Sequence, residues 1–257
     1  MNTTPNIHTM IVAAGRGSRF GAAIAKQYTL INHQTLLQQS VARLASSAYI
    51  NQCFLVIAAD DKVAKNLSFE LPIHYVIGGI ERWQSVQAGV KAVIEKGAND
   101  SDLVVIHDAA RPAVPTADID SVVTAAMFET YGAILAAPVA DTLKQSIEKQ
   151  STEHTVTNTS SADTVDNRSN TVSYIKATVD RREMWQAQTP QVFRVGELRR
   201  LLDYVAENQL AITDEASAFE YLDLPIRLVE GSRQNVKLTF PEDAILLAAI
   251  LSAQAEN

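Results

Sequence analysis

Short apolar runs alternate with amphipathic helical segments along the first half of the chain, and this alternation limits the possible folds. The runs at 8–14, 54–59, 73–77, 103–106 and 133–139 have the length of buried strands. Between them, apolar residues recur at the spacing of a helix. Strands and helices that alternate in this way form βαβ units. We therefore predict an α/β fold with a Rossmann-like, mostly parallel sheet flanked by helices.

The second half of the chain is less regular. A polar segment interrupts it, because 14 of the 23 residues from Ser151 to Ser173 are Ser, Thr or Asn. Such a segment buries little apolar area, so we expect a protruding insertion with a flexible tip at about 151–173. Beyond it we predict helices at 195–208, near 213–215 and from Pro241, and short strands at 226–229 and 236–239.

Charge and cysteine content exclude several classes of protein. The chain has 22 Lys and Arg against 29 Asp and Glu, a net charge of -7, whereas surfaces that bind nucleic acid are usually basic. The single cysteine, Cys53, excludes an intramolecular disulfide and a cysteine-rich zinc site. No apolar run approaches the roughly 18 residues that span a bilayer. We expect a cytoplasmic protein that binds neither nucleic acid nor membranes, and small phosphorylated ligands remain possible.

A glycine-rich loop with interleaved cations follows the first predicted strand. Glycines let backbone N–H groups approach a phosphate, and cations neutralise its charge. The spacing matches neither a P-loop nor the dinucleotide fingerprint, since no GK[ST] follows and position 20 is Phe. The alternative is a tight turn that carries surface cations. The residues concerned are Gly15, Arg16, Gly17, Arg19, Gly21 and Lys26.

The segment HDAARP places an acid and an arginine just past the fourth predicted strand. There Asp108 could hold a metal ion or a hydroxyl, and Arg111 could hold a phosphate. The alternative is an ion pair at the end of a strand. We interpret His107 as a packed, hydrogen-bonded histidine, and no serine has the GxSxG context of a nucleophile.

These motifs together resemble the 2-C-methyl-D-erythritol 4-phosphate cytidylyltransferase family. The resemblance extends over nearly the whole chain apart from the insertion. It is carried by AAGRGSRF with KQY, and by HDAARP, APVADTLK, TVDR, QTPQVF, TDEAS and EGSRQNVKLTFPED. It implies a homodimeric, Mg²⁺-using enzyme that transfers CMP from CTP to a sugar-alcohol phosphate in non-mevalonate isoprenoid synthesis.

The resemblance also implies roles for individual residues. Four would be catalytic: Arg19 and Lys26 would stabilise charge on the α-phosphate, and Arg181 and Lys237 would position the methylerythritol phosphate. The expected CTP contacts are Ala13, Ala14, Gly15, Gly17, Gly79, Ser85 and Ala109. The expected remainder of the substrate pocket is Asp108, Arg111, Thr142, Thr189 and Thr213, with Asp108 also a possible metal ligand.

The resemblance further implies one cytidylyltransferase domain over 1–257, with 141–181 as an arm that exchanges between subunits. Arg181 would then act in the partner's active site. The stretch from Gln145 to Ala177 is longer than the usual arm.

The chain departs from the family pattern at three positions. Val12 and Ala25 replace prolines, which is a conformational change, and Ile80 replaces an aspartate expected to contact the base or ribose. Three other functions remain: a ribitol-5-phosphate cytidylyltransferase, a non-catalytic nucleotide-binding protein, and a nicotinamide dehydrogenase that the glycine spacing weakens.

Overall fold

The computed structural model describes residues 4–15, 25–150 and 171–256. It divides into two compact units, one formed by Met1–Ala137 with Ala187–Asn257 and the other by Pro138–Gln186. Among the described residues, no helix combines the length and apolar character that crossing a bilayer requires.

The strands and helices follow one another largely as the apolar pattern predicts. The strands are β1 (Ile7–Val12), β2 (Leu30–Ile31), β3 (Gln34–Thr35), β4 (Cys53–Ile57), β5 (Ile73–Ile77), β6 (Leu103–Asp108), β7 (Gly132–Pro138), β8 (Leu143–Gln150), β9 (Thr171–Val179), β10 (Trp185–Arg194) and β11 (Arg227–Glu230). The helices are α1 (Leu36–Ala45), α2 (Arg82–Glu95), α3 (Thr116–Met127), α4 (Val195–Glu207), α5 (Glu215–Glu220) and α6 (Asp243–Ala255).

A seven-stranded sheet in the order β11-β7-β10-β6-β1-β4-β5 forms the centre of the larger unit. Strand β1 pairs in parallel with both β4 and β6, β4 with β5, and β7 with β11, whereas β10 is antiparallel to β6. The prediction of a mostly parallel α/β sheet is therefore confirmed. From β1 the chain runs outward through β4 and β5 and then returns to β6 on the other side of β1. This reversal leaves a crevice at the carboxyl ends of β1 and β6, where open α/β sheets bind their ligands.

Helices cover both faces of the sheet. Side chains along β1 alternate between the two faces: Ile11 packs in one cluster with α1 and α3, and Met10 packs in another with α2, α4 and α5. Each cluster is made of buried aliphatic and aromatic residues, which supply the main stabilisation of the fold.

Two predicted elements differ from the structure. Residues 236–239 form no strand; the one backbone hydrogen bond that Leu238 donates goes to the carbonyl of Ala110 at 2.9 Å. Leu238 is buried against α6, so the apolar alternation there reflects packing on a helix. Helix α6 begins at Asp243 and not at Pro241, because residues 241–242 form a turn before it; the Asp243 carboxylate also accepts from the N–H groups of Thr239 and Phe240.

The smaller unit contains an antiparallel hairpin. Strands β8 and β9 pair from Leu143 opposite Val179 to Gln150 opposite Thr171, with an irregularity between Gln145 and Ser146. The predicted arm, 141–181, contains this hairpin. Of the expected tip at 151–173, residues 151–170 lie outside the described part of the chain, and 171–173 belong to β9.

Candidate active site

A cavity of about 230 Å³ lies at the carboxyl ends of β1 and β6 in the larger unit. Three segments that follow strands form most of its wall, as expected for the crevice of an open α/β sheet, and Lys26, Gln27 and Lys237 complete it. The lining residues are Val12, Ala13, Ala14, Gly15, Lys26, Gln27, Gly79, Ile80, Glu81, Arg82, Ser85, Asp108, Ala109, Ala110 and Lys237. Nine of the predicted site residues are among them.

Cations converge on Asp108, the last residue of β6. Lys237 Nζ lies 2.6 Å from one carboxylate oxygen, and Arg82 Nη2 lies 3.3 Å from the other. Burial by itself would raise the pKa of Asp108, but Arg82 and Lys237 hold it well below its usual range. Asp108 is therefore a carboxylate with a cation at each oxygen.

Arg82 joins Asp108 to a second, deeper carboxylate. Its Nη1 forms an ion pair with Glu215, whose side chain is fully buried at the start of α5. Burial would lower the pKa of Arg82, but the carboxylates of Glu215 and Asp108 raise it above its ordinary value. Burial raises the pKa of Glu215, and Arg82 opposes that change. The result is a continuous chain of charged groups from the protein interior to the cavity.

Lys26 lines the cavity from a short 3-10 turn whose next two residues are anchored. Gln27 is buried and donates from Nε2 to the Ala13 carbonyl at 2.8 Å. The Tyr28 hydroxyl donates to Asp61, and burial, reinforced by this carboxylate, raises the pKa of Tyr28, so the hydroxyl stays protonated. These contacts fix the backbone that carries Lys26 against the end of β1.

The glycine pair after β5 is required by close packing. A Cβ on Gly79 would lie 2.3 Å from Cβ of Gln84, and one on Gly78 would lie 2.6 Å from the Ser85 hydroxyl. The next residue, Ile80, points its side chain into solvent, and its N–H donates to the Gln84 side chain at 2.9 Å. At the position where the family pattern has aspartate, this chain therefore offers a ligand only apolar side-chain contact.

Predicted residues Arg111 and Thr189 brace the end of β6 and do not line the cavity. The Thr189 hydroxyl accepts from the Asp108 N–H at 3.1 Å and donates to Nδ1 of His107 at 3.0 Å. Nε2 of His107 donates to the Arg111 carbonyl at 3.0 Å. Burial lowers the pKa of His107 to about 4, which fits a neutral ring that both accepts and donates. His107 is the packed histidine that the sequence indicated.

The Arg111 guanidinium is directed at backbone carbonyls. It donates to Asn235 at 2.7 Å and to Ala187 at 3.2 Å, and burial lowers its pKa. These contacts tie β6 to the segment that carries Lys237.

Five predicted residues are not among those described at this cavity. Thr142 and Arg181 belong to the smaller unit. Thr213 is exposed in the turn before α5, where its N–H donates to the Ser217 hydroxyl at 3.2 Å. Gly17 and Arg19 fall outside the described residues.

Sequence reasoning missed two charged residues, Arg82 and Glu215. Arg82 follows the Gly78-Gly79 pair, so its place after a predicted strand was an available signal. Glu215 lies where the sequence predicts the start of a helix, and an acid suits a helix N-terminus without any role at a cavity. Its burial, and its pairing with a residue 133 positions away, could not be predicted from local sequence.

A doubly wound sheet, with a cationic cavity and a glycine-containing loop at its switch point, defines a nucleotide-binding α/β protein. Comparison with known proteins narrows this class. The profile of the 2-C-methyl-D-erythritol 4-phosphate cytidylyltransferase family matches residues 7–161 and 146–253. The chain belongs to this family.

Individual relatives agree with the family match. The cytidylyltransferase of that name from Psychrobacter arcticus is 66% identical, with 99% of this chain and 94% of the relative covered. The one from Colwellia psychrerythraea is 38% identical, with 100% and 99% covered. Among solved structures, the Francisella tularensis enzyme of the same name is 27% identical, with a TM-score of 0.72 and 95% and 99% of the two chains covered. A 4-diphosphocytidyl-2C-methyl-D-erythritol synthase is 31% identical, with a TM-score of 0.75 and 97% and 100% covered.

Proposed function

We propose that the cavity at the ends of β1 and β6 transfers CMP from CTP to 2-C-methyl-D-erythritol 4-phosphate. The products are 4-diphosphocytidyl-2-C-methyl-D-erythritol and diphosphate, and the reaction belongs to non-mevalonate isoprenoid synthesis. The observation that carries the proposal is the convergence of Lys26 and Lys237 on one cavity, beside Asp108, in a chain of this family.

Repulsion between two anions is the first obstacle to this reaction. An oxygen of the acceptor's phosphate attacks the α-phosphorus of CTP, and the bond from that phosphorus to the bridging oxygen of diphosphate breaks. A phosphate monoester is ionised near neutral pH, so its attack needs no general base. Fixed cations reduce the repulsion and interact most strongly when charge builds on the α-phosphate oxygens. The cations of the cavity match this requirement.

We assign the roles as the family resemblance implies. Lys26 and Arg19 stabilise charge on the α-phosphate, and Lys237 and Arg181 position the acceptor. CTP is held by Ala13, Ala14, Gly15, Gly17, Gly79, Ser85 and Ala109. Asp108 contributes to the substrate pocket directly. Arg111 and Thr189 contribute by bracing the end of β6, and Thr142 and Thr213 are proposed contacts of the acceptor.

The donor set of the cavity fits Mg²⁺ that arrives with the nucleotide. Within the described part of the chain, no cluster of three His, Cys, Asp or Glu side chains could hold a metal ion alone. Mg²⁺ is often held by one or two carboxylates together with substrate phosphates, and Asp108 supplies one carboxylate at the cavity. When bound, the ion would neutralise triphosphate charge, and Asp108 would hold it through the carboxylate lone pairs that Arg82 and Lys237 do not use.

We further propose a homodimer in which the segment 141–181 exchanges between subunits, so that Arg181 serves the partner's cavity. Support comes from the family resemblance and from the exposed side chains along β8 and β9, including Tyr174 and Ile175. A cytoplasmic location is also part of the proposal, and it rests on the single, unpaired cysteine of the sequence.

Diphosphate release from CTP with Mg²⁺ tests the proposal when methylerythritol 4-phosphate and ribitol 5-phosphate are compared as acceptors. We expect fast release with the first acceptor alone. Release with ribitol 5-phosphate alone would overturn the acceptor assignment while leaving the CTP site in place. Release with neither acceptor would favour a non-catalytic nucleotide-binding protein.

A further inference from the structure

We infer that Arg82 is a positioning residue that fixes the Asp108 carboxylate in the cavity, and that Glu215 in turn fixes Arg82. The inference rests on the proposed function, because it names residues that support the same site. Neither Arg82 nor Glu215 belongs to the residues that the family resemblance assigned.

The first argument is the geometry around Asp108. Each carboxylate oxygen faces a different cation, with Arg82 Nη2 at 3.3 Å from Oδ1 and Lys237 Nζ at 2.6 Å from Oδ2. A carboxylate held at both oxygens cannot rotate without losing a charged contact. Its orientation is therefore set jointly by Arg82, at the start of α2, and by Lys237.

The second argument is the anchoring of Arg82 itself. Nη1 contacts both oxygens of Glu215, which is fully buried, while Nη2 is left to reach Asp108. A buried carboxylate is costly unless it is paired, so Glu215 holds the guanidinium strongly. The planar fork of arginine suits this division between two carboxylates, whereas the compact ammonium of lysine does not.

The third argument is the rigid placement of Glu215. It is the first residue of α5, whose N-cap residue Asp214 accepts from the Ser217 N–H at 2.9 Å. Asp214 also accepts from Gln191 Nε2 at 2.9 Å, which ties the helix to β10. The TDEAS motif thus supports the cavity through Glu215, which holds Arg82. This support is separate from the substrate contact proposed for Thr213.

This arrangement has a consequence for catalysis. Asp108 lies where two anionic substrates would meet, so an unrestrained carboxylate there would repel phosphate. Because Arg82 and Lys237 hold the Asp108 carboxylate, its negative charge faces these two fixed cations. Arg82→Lys keeps the positive charge but loses the fork, so we expect a loss mainly in kcat, with KM for CTP changed much less.

The test is a double-mutant cycle with Arg82→Lys and Asp108→Asn, measured as kcat/KM for diphosphate release. We expect Arg82→Lys to cost about tenfold or more in the wild-type background and less than about threefold in the Asp108→Asn background. Arg194→Lys is the matched control, because Arg194 also donates to several groups, the carbonyls of Ser101 and Met127 among them, but lies at the other end of β10. We expect it to leave kcat/KM unchanged.

A parallel double-mutant cycle with the same two variants measures the equilibrium constant of unfolding in urea and needs no turnover. We expect the effects of the two variants on that constant to depart from additivity by about fivefold or more. Additive effects of the two variants on kcat/KM would overturn the inference, even if their effects on unfolding were non-additive. Arg82 would then stabilise the fold without positioning Asp108 for the reaction.

If the wild type turned over neither acceptor, the proposed function would fail and the unfolding cycle alone would decide. Additivity there would overturn the inference.

Glu215→Gln should reproduce the kcat loss of Arg82→Lys. An unchanged kcat in folded Glu215→Gln would remove Glu215 from the inference.

Discussion

At the scale of single residues, the position of Lys26 depends on its neighbours. Gln27 is hydrogen-bonded to the Ala13 carbonyl and Tyr28 to Asp61, so the backbone at 26–28 is fixed between the end of β1 and the loop after β4. A charge that is already in place when the transition state forms needs no reorganisation, which is the main way that preorganised sites accelerate reactions.

We expect Lys26→Ala to lower turnover by about 10²–10³-fold, the usual loss for one preorganised charge contact. Steady-state diphosphate release with saturating CTP and acceptor measures this. Lys91→Ala is a suitable control, since Lys91 is an exposed lysine on α2 whose ion pair with Glu95 is 4.0 Å long. Turnover that survives the loss of Lys26 would remove its assigned role.

Asp102, far from the cavity at the start of β6, provides a pH-dependent prediction. Its buried carboxylate accepts from the N–H groups of Asn99 at 2.9 Å and Asn6 at 3.0 Å. Burial would raise the pKa of Asp102, but these donors lower it below its usual value. The carboxylate therefore stabilises the fold above the unfolded pKa of about 3.9, and this contribution is lost as the pH falls through the folded pKa.

We expect Asp102→Asn to reduce the free energy of unfolding by about 1–3 kcal/mol at pH 7, and the difference from wild type to shrink below about pH 4. Urea unfolding at several pH values measures both. Asp100→Asn is the control, because Asp100 forms only an exposed ion pair with Arg199, and such pairs contribute about 0–1 kcal/mol. A difference for Asp102→Asn that stayed constant down to pH 3 would contradict the account.

Most residues that line the cavity could be predicted from the sequence, because they follow strands in short motifs. Asp108 and Gly79 are examples: each comes at or just after the end of an apolar run. Arg82 and Glu215 could not be paired in advance, since their contact depends on how α2 and α5 pack over the sheet. Local patterns specify strand ends, and tertiary packing specifies which charges meet there.

At the scale of elements, the entry into β7 depends on a close approach to β10. A Cβ on Gly132 would lie 2.1 Å from the Val192 carbonyl oxygen and 2.9 Å from Cα of Phe193. Both contacts are to backbone, so neither can be relieved by turning a side chain.

We expect Gly132→Ala to lower the free energy of unfolding by at least about 2 kcal/mol, since the strands must separate to accommodate the methyl group. Gly97→Ala is the comparison: its φ is +99° but no atom lies within 4 Å of an added Cβ, so its cost is backbone strain alone, about 1 kcal/mol. Denaturant titration compares the two, and equal losses would count against the steric explanation.

The elements also show where apolar periodicity misleads. Residues 236–239 alternate like a strand but pack against α6. Strand β10, which pairs with β6 in the sheet, lies in a segment that the sequence marks only by its QTPQVF motif. Periodicity reports which side chains are buried, and it leaves open whether a strand or a helix covers them.

At the scale of the whole molecule, the proposed arm exchange predicts that two inactive variants can complement each other. Lys26→Ala impairs a subunit's own cavity, and Arg181→Ala impairs the partner's. A mixed dimer then has one cavity with both defects and one with neither. We expect co-expressed variants to show activity well above either parent, measured as diphosphate release. Activity equal to the average of the parents would place Arg181 at its own subunit's cavity or outside the site.

The most direct test of the central claim is a crystal structure of the protein with CTP bound. We predict the triphosphate beside Lys26 in the cavity at the ends of β1 and β6, with the cytosine near Gly79 and Ser85. CTP bound at another surface, with this cavity empty, would contradict the assignment of the active site.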